Sequence, residues 1–305
     1  VKTTDERIQA YLKNLKVALK GMDKAVIQDA LADAEEHLRA ALAAEMENQE
    51  GDSPEEVLEG IIADYGTPDE IAEAYRNWER SLPPALAAAS STSTDSETKS
   101  RKRYPGFFGI YADPQAWGRL VYLLISVVTG SLYFSWAVAG FFTSLGVMIL
   151  IIGIPVTILF LLSIRGLAFL EGRLVEALLG ERMPRRPAFT DPKLERIKRL
   201  KQLLLGKSTW LALLYMFLML PLGVIYFSVM ATLLATSAAM IASPVLHLIF
   251  DPTVVYIGPE PYSFPTQLTP LLAIGGVLLT TLSLHLANWI GWGHGKLAKA
   301  LLVSE

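Results

Sequence analysis

Four stretches of this chain are long and apolar enough to cross a membrane, and they constrain its fold before any motif is considered. They cover about residues 118–140, 144–166, 210–242 and 268–292, each longer than the roughly 20 residues needed to traverse the hydrocarbon. The third exceeds a simple crossing, so it either tilts or ends near Pro244 and continues along the outer surface. Pro155, Pro221 and Pro270 are expected to kink or start helices. The fold class that follows is all-α: a four-helix transmembrane bundle joined to whatever the remaining residues build.

Charge divides the chain into two parts. Residues 1–80 hold 9 Lys/Arg and 19 Asp/Glu, a formal charge of −10, while residues 81–305 carry +7 and every long apolar run. Such asymmetry implies two environments. There are no cysteines, which excludes disulfides, thiolate metal sites and a thiol nucleophile. The N-terminus is polar and amphipathic with no apolar signal-peptide core, so the first membrane helix is expected to act as the insertion signal.

The acidic part reads as a small soluble bundle of about four helices. Ile8, Leu12, Leu15 and Leu19 recur at helical spacing, as do Ile27, Leu31, Ala34, Leu38 and Leu42. Nothing interrupts the second set between Lys24 and Glu47, so it is expected to be the longest. Ser53-Pro54-Glu55-Glu56 and Thr67-Pro68-Asp69-Glu70 each place a hydroxyl at the N-cap, Pro at the first helical position and Glu three after the cap. Gly66 suits a helix C-terminus. The domains are expected at 1–80, a linker at 81–104 and a membrane unit at 105–305. The linker opens on Pro83-Pro84, runs through Ala, Ser and Thr, and ends in Lys99, Arg101, Lys102 and Arg103. That cluster fits anionic headgroups or a topology signal alone.

Orientation follows from the positive-inside rule. Residues 173–207 hold ten Lys/Arg and four Asp/Glu, and the C-terminal segment adds Lys296 and Lys299. The connection near Phe141–Ser144 is uncharged, and 251–267 carries only Asp251 and Glu260. Both termini and the 173–207 segment are therefore expected in the cytoplasm, and the acidic domain with them.

The two membrane hairpins match one another. Trp117, Tyr122, Gly130, Tyr133, Phe134 and Ser135 align with Trp210, Tyr215, Gly223, Tyr226, Phe227 and Ser228, all at a separation of 93. Gly172-Arg173-Leu174 and Ala177-Leu178-Leu179 correspond to Gly295-Lys296-Leu297 and Ala300-Leu301-Leu302 at 123. Two repeats, about 113–180 and 206–303, are expected. Each has an even number of crossings, so the repeats are parallel rather than inverted as in many transporters. The shared Gly–x–x–Tyr–Phe–Ser reads first as a close-packing device. The sharper reading is a ligand site between the repeats, lined by Tyr133 and Tyr226. The extra residues of the second repeat, with Tyr256, Tyr262 and Phe264 around Gly258-Pro259-Glu260-Pro261, are expected to form a hairpin or a surface-lying outer cap.

Two family resemblances attach to these residues. Tyr11-Leu12 through Leu19, Ala34-Glu35-Glu36-His37-Leu38 and Tyr65-Gly66-Thr67-Pro68-Asp69-Glu70-Ile71-Ala72 resemble the HAAS signalling domain. That domain is found at the N-termini of bacterial membrane proteins, often encoded near PadR-type transcriptional regulators. Asp113-Pro114 with Trp117 and Tyr122, the Gly130–Ser135 stretch, Gly153-Ile154-Pro155 and Arg165-Gly166-Leu167-Ala168 resemble the sensor domain of prokaryotic histidine kinases, which has a duplicated pair of membrane hairpins. No dimerisation helix or ATP-binding domain follows the last membrane helix in this sequence, so kinase activity is not implied. The resemblances imply a bacterial or archaeal cell membrane.

A search for chemistry finds no phosphate loop, no nucleophile elbow and no zinc pair. His37 is expected to be solvated, His247 lies toward the outer end, and His294 is expected at the cytoplasmic interface, where it can snorkel. Arg165, near the inner end of the second span, can reach headgroups. His285 lies within the fourth span, three residues before Asn288 and on the same helical face. A polar pair inside a membrane helix is a functional candidate, with a hydrogen bond across the bundle preferred over an axial cofactor ligand. Glu35-Glu36 and Glu55-Glu56 diverge on their helices and read as a solvated face. No catalytic residue, cofactor or metal is expected. The charge of −10 argues against direct nucleic-acid binding and fits a basic protein partner. The leading reading is a non-enzymatic sensor or signalling adaptor in the lipid bilayer. Its acidic domain would bind a cytosolic partner, with a PadR-type regulator as candidate. A structural or accessory subunit of a larger membrane complex is the alternative, and a transporter the weaker one.

Overall fold

The computed structural model describes residues 2–48, 53–81, 106–148, 153–184, 206–250, 254–257, 260–263 and 268–303. The expected linker and its basic cluster, Phe264 and most of the basic connection after Arg182 lie outside the described residues.

In the acidic domain, α1 (Lys2–Ala18), α2 (Lys24–Asn48), α3 (Pro54–Tyr65) and α4 (Pro68–Ser81) wrap an apolar core. Ile8, Leu15, Leu19, Leu38 and Leu58 are fully buried there. Both capping signals operate. Ser53 Oγ accepts from Glu56 N at 3.3 Å. At Thr67 the exchange is reciprocal: its hydroxyl accepts from Glu70 N at 3.4 Å, and Glu70 Oε2 accepts from Thr67 N at 2.8 Å. Each bond satisfies a backbone donor that the helix itself cannot. The bonds to Oε2 from Thr67 N and from the Thr67 hydroxyl, at 2.8 and 2.9 Å, hold the Glu70 carboxyl below its ordinary range. Tyr11 fastens α1 to the α3–α4 corner by donating to Gly66 O at 2.9 Å.

The membrane unit consists of α5 (Pro114–Val147), α6 (Gly153–Leu179), α7 (Lys207–Phe250) and α8 (Thr269–Leu302). All four are long and apolar enough to cross a membrane, and together they form a multi-pass membrane bundle. α5 and α7 make the most extensive pairing, with α6 packed on α5 and α8 on α7. At the α5–α7 crossing the backbones almost touch. A Cβ at Gly130 would fall on the carbonyl of Met219, and one at Gly223 on the carbonyl of Ser126. Only glycine permits that approach.

Most lipid-facing positions are apolar, among them Leu132, Phe142, Leu159, Ile225 and Leu278. Neither Pro221 nor Pro244 ends α7, which runs unbroken to Phe250. α6 and α8 continue to Leu179 and Leu302, well past the apolar spans read from sequence. The connection between α7 and α8 contains one antiparallel hairpin of β1 (Val254–Ile257) and β2 (Glu260–Ser263), pairing Val255 with Tyr262 and Tyr256 with Pro261. Apart from it, the described residues are all-α.

Candidate functional site

The most demanding group in the membrane unit is Glu171, on α6, with no exposed surface. A carboxylate removed from water must be hydrogen-bonded or it is strongly destabilising. Three phenols surround it. Tyr122 on α5 donates to Oε1 at 2.5 Å and Tyr215 on α7 donates to the same oxygen at 2.9 Å. Tyr133, about three turns further along the same face of α5, donates to Oε2 at 3.1 Å. The fourth helix contributes His294, whose Nε2 lies 2.7 Å from the Tyr122 hydroxyl and 3.0 Å from that of Tyr215. Its Nδ1 lies 3.4 Å from the Tyr226 hydroxyl.

Counting hydrogens assigns the roles for an ionised Glu171. Each phenol carries one hydrogen, and with Glu171 ionised those of Tyr122, Tyr215 and Tyr133 go to the carboxylate. His294 Nε2 must then carry its own hydrogen and donate to the Tyr122 and Tyr215 oxygens. Nδ1 is left as the acceptor for Tyr226. The tautomer is thus assigned by the network, and in this arrangement every donor has an acceptor. The four anchoring residues Tyr122, Glu171, Tyr215 and His294 each lie eight residues from a helix end, about 12 Å at 1.5 Å per residue. The ends in question are the starts of α5 and α7 and the finishes of α6 and α8, so one layer of the bundle is tied across all four helices.

The sequence candidates fall in different places. Tyr133 and Tyr226 both reach this layer. His285 does not: its Nε2 meets the carbonyl of Phe107 at 3.1 Å, and its ring stacks on Phe107 at 5.5 Å. Asn288 accepts from Arg119 of α5, which also donates twice to the carbonyl of Leu179 at 3.3 Å and so caps α6. His285 and Asn288 therefore serve separate contacts. Arg165 donates to Thr209 of α7 at 3.1 and 3.2 Å instead of leaving the bundle for headgroups. His294 is 2 % exposed, so the expected interfacial, snorkelling position is corrected: it faces inward because three phenols offer it partners. Tyr256 and Tyr262 stand on the β1–β2 hairpin, away in sequence from this layer.

Sequence reasoning passed over Glu171, Tyr122, Tyr215 and His294 as a site. Two signals were present. Tyr122 and Tyr215 are a matched pair at the separation of 93, and Glu171 follows an apolar run without a helix breaker. Ending the second span at 166 placed Glu171 in a connection, where a carboxylate calls for no explanation.

Beneath this layer the two domains meet. Lys299 of α8 pairs with Asp23, the residue that caps α2 by accepting from Ala25 N at 2.9 Å. Arg182, just past α6, lies 3.9 Å from Asp29. Among the described residues no group of three or more His, Cys, Asp or Glu is placed to hold a metal ion.

Residues 122–302, more than half of the chain, match the family model described as Putative sensor. The chain belongs to that family. Residues 10–74 match the HAAS family model, so an N-terminal HAAS domain is fused to a sensor domain and the whole is a membrane sensor and signalling module. No curated protein and no solved structure matches the chain. The buried layer lies within the sensor match, and both ion-paired aspartates lie within the HAAS match.

Proposed function

We propose that the sensor domain signals by shifting its helices about the Glu171 layer, and that the acidic domain delivers the result to a cytosolic protein. The observation that carries this is the tie itself: one buried carboxylate and one buried imidazole hold phenols from α5 and α7. A helix displaced by a ligand, a lipid or a change in the bilayer must exchange those bonds for others. Packed, hydrogen-bonded layers of this kind favour discrete alternatives over continuous deformation.

The same reading includes the domain boundaries 1–80 and 105–305, the parallel duplication and a cytoplasmic location for both termini. The glycine contacts support duplication, since Gly130 on Met219 and Gly223 on Ser126 exchange under the separation of 93. The Tyr122–Tyr215 hydroxyl contact at 3.4 Å joins equivalent residues. The ion pairs of Asp23 and Asp29 with Lys299 and Arg182 support a common side for the acidic domain and the basic helix ends. The charge of −10 favours a basic partner over nucleic acid.

A PadR-type regulator is the candidate partner, from the company that HAAS domains keep. The test is binding of such a regulator, taken from the same genome, to the full chain in lipid nanodiscs. Saturable binding that changes several-fold in Glu171→Gln is expected. An absence of binding, or affinity indifferent to Glu171, would sink the reading. The accessory-subunit alternative draws on the outer part of α7, where Leu248 is 84 % exposed beside Ile249. It predicts co-purification with other membrane subunits in fixed stoichiometry.

A further inference from the structure

The chain beyond Leu179 does not simply leave the bundle. Gly180 takes a positive φ of 75° and ends α6, as a C-terminal glycine does without the steric cost a side chain would meet. Residues 181–184 then fold back on the helix they follow. Met183 is buried at 1 % exposure and packs over Gly172, where a Cβ would stand 3.7 Å from Met183 Cβ. Arg173 holds the end of this return by donating to the carbonyl of Pro184, and its own position is set by Glu176 at 2.6 Å and the ring of Phe169 at 5.0 Å. Gly172 is the neighbour of Glu171. The return is therefore seated directly on the helix turn that carries the buried carboxylate.

Its other face touches α8 and the acidic domain. The side-chain stem of Glu181 fills the space left by Gly295, where a Cβ would come within 2.6 Å of Glu181 Cγ. Gly295 is the neighbour of His294. Glu181 also reaches Lys299 at 3.8 Å, Lys299 pairs with Asp23, and Arg182 lies 3.9 Å from Asp29. The Arg182 and Asp29 side chains are only 14 % and 13 % exposed, so solvent and salt screen this pair less than a surface pair.

We propose that the return Gly180–Pro184 is a latch that couples the Glu171–His294 layer to docking of the acidic domain. This deepens the sensor reading and rests on its claim that helix shifts about Glu171 carry the signal. Glu171 and His294 each sit one residue from a glycine against which the return is packed. Any relative movement of α6 and α8 in that layer displaces Glu181 and Met183, and with them the cations that hold Asp23 and Asp29. The linker is then not the sole route between the domains. Signalling becomes the docking and release of an acidic surface, with two ion pairs as the fastening.

The chain lacks cysteine, so spin labels can be placed at will on the full-length protein in nanodiscs. Labels at Lys13→Cys and Ala177→Cys report the separation of α1 from the end of α6 by dipolar spectroscopy. One narrow distance distribution is expected. The charge reversals Asp23→Lys with Asp29→Arg should raise the undocked fraction by at least about fivefold, and adding Lys299→Asp with Arg182→Asp should restore the narrow distribution. Glu171→Gln, Tyr133→Phe and Met183→Ala, which touch no ion pair, should each broaden it too. Tyr133→Phe removes a single hydrogen bond and so keeps the comparison meaningful if Glu171→Gln does not fold.

Two results overturn the proposal: reversals that leave docking unchanged, or reversals that release it while the layer variants Glu171→Gln and Tyr133→Phe remain docked. The second would make the contact a fixed strut. The regulator assay is independent of this one. Coupled docking without regulator binding removes the output reading and leaves the latch standing, whereas regulator binding with a fixed strut removes the latch alone.

Discussion

The two bundles of this protein share an apolar interior and differ in what they turn outward. In the acidic domain, leucines and isoleucines fill the interior and charges cover the outside. In the membrane unit, Trp289, Leu132 and Leu271 face outward, and the apolar interior also holds Glu171, His294 and their phenols. The difference is one of solvent. Water rewards burial of apolar surface, so an apolar core is sufficient for the first bundle. Lipid offers no such reward for bringing helices together, and association there rests on close packing and interhelical hydrogen bonds. Gly130 and Gly223 supply the first, the Glu171 layer the second. A group that would be incidental on the acidic surface thus becomes central in the membrane.

Removing equivalent carboxylates from the two bundles tests that contrast, and the expected difference is the largest considered. Glu171→Ala leaves three phenols without the acceptor around which they are arranged. The cost should be about 3–5 kcal/mol, read as a shift in denaturant midpoint in mixed micelles. Glu73→Ala, on an exposed turn of α4, should stay within about 0.5 kcal/mol in the same assay. Similar losses at both positions would mean that the buried layer is not what holds the membrane unit.

The second test sharpens the packing half. Gly130→Ala and Gly223→Ala should each separate α5 from α7, at about 1–3 kcal/mol apiece. The two added methyl groups would meet backbone carbonyls that exchange under the separation of 93, so the losses should be close to equal. The double variant should cost less than their sum, because one displacement of α5 from α7 relieves both contacts. Unequal, additive losses would argue against the proposed duplication.

What could be read in advance divides along the same line. Capping signals are local in the chain, so the starts of α3 and α4 were plain from Ser53 and Thr67. Membrane spans depend on length and composition alone, and all four were evident. The candidate layer depends on where four helices face, which no single stretch encodes. Tyr133 and Tyr226 stood out through repetition. Glu171 and His294 did not, because each lies beyond the apolar run, in helix that continues where hydropathy has already fallen. His285 and Asn288 share a face, yet α8 has different neighbours along its length, so Phe107 takes one and Arg119 the other. The contacts of Asp23 and Asp29 with the membrane unit lay out of reach for the same reason.

The smallest effect lies at the acidic domain's own polar interior and appears only at alkaline pH. Tyr11 is 5 % exposed and donates to Gly66 O. Burial, followed by the neighbouring Tyr65 and Glu70, pushes its phenol up from 10.0 to about 12. Burial and Asp33 raise Tyr65 as well. A phenol raised in the folded state is easier to ionise once unfolded. Its contribution to stability is therefore complete below pH 10 and lost as the pH climbs through about 12. The sign is opposite to that of Glu70, whose depressed carboxyl contributes above the ordinary carboxylate range and fails as the pH falls through its folded value. Monitored by the ring and amide signals of the acidic domain in the full chain, the alkaline transition should move to higher pH in Tyr11→Phe. It should persist in part, because Tyr65 remains. An unchanged midpoint would place the alkaline sensitivity elsewhere, and the polar fastening of α1 to the α3–α4 corner would then be incidental to a domain held by its apolar core alone.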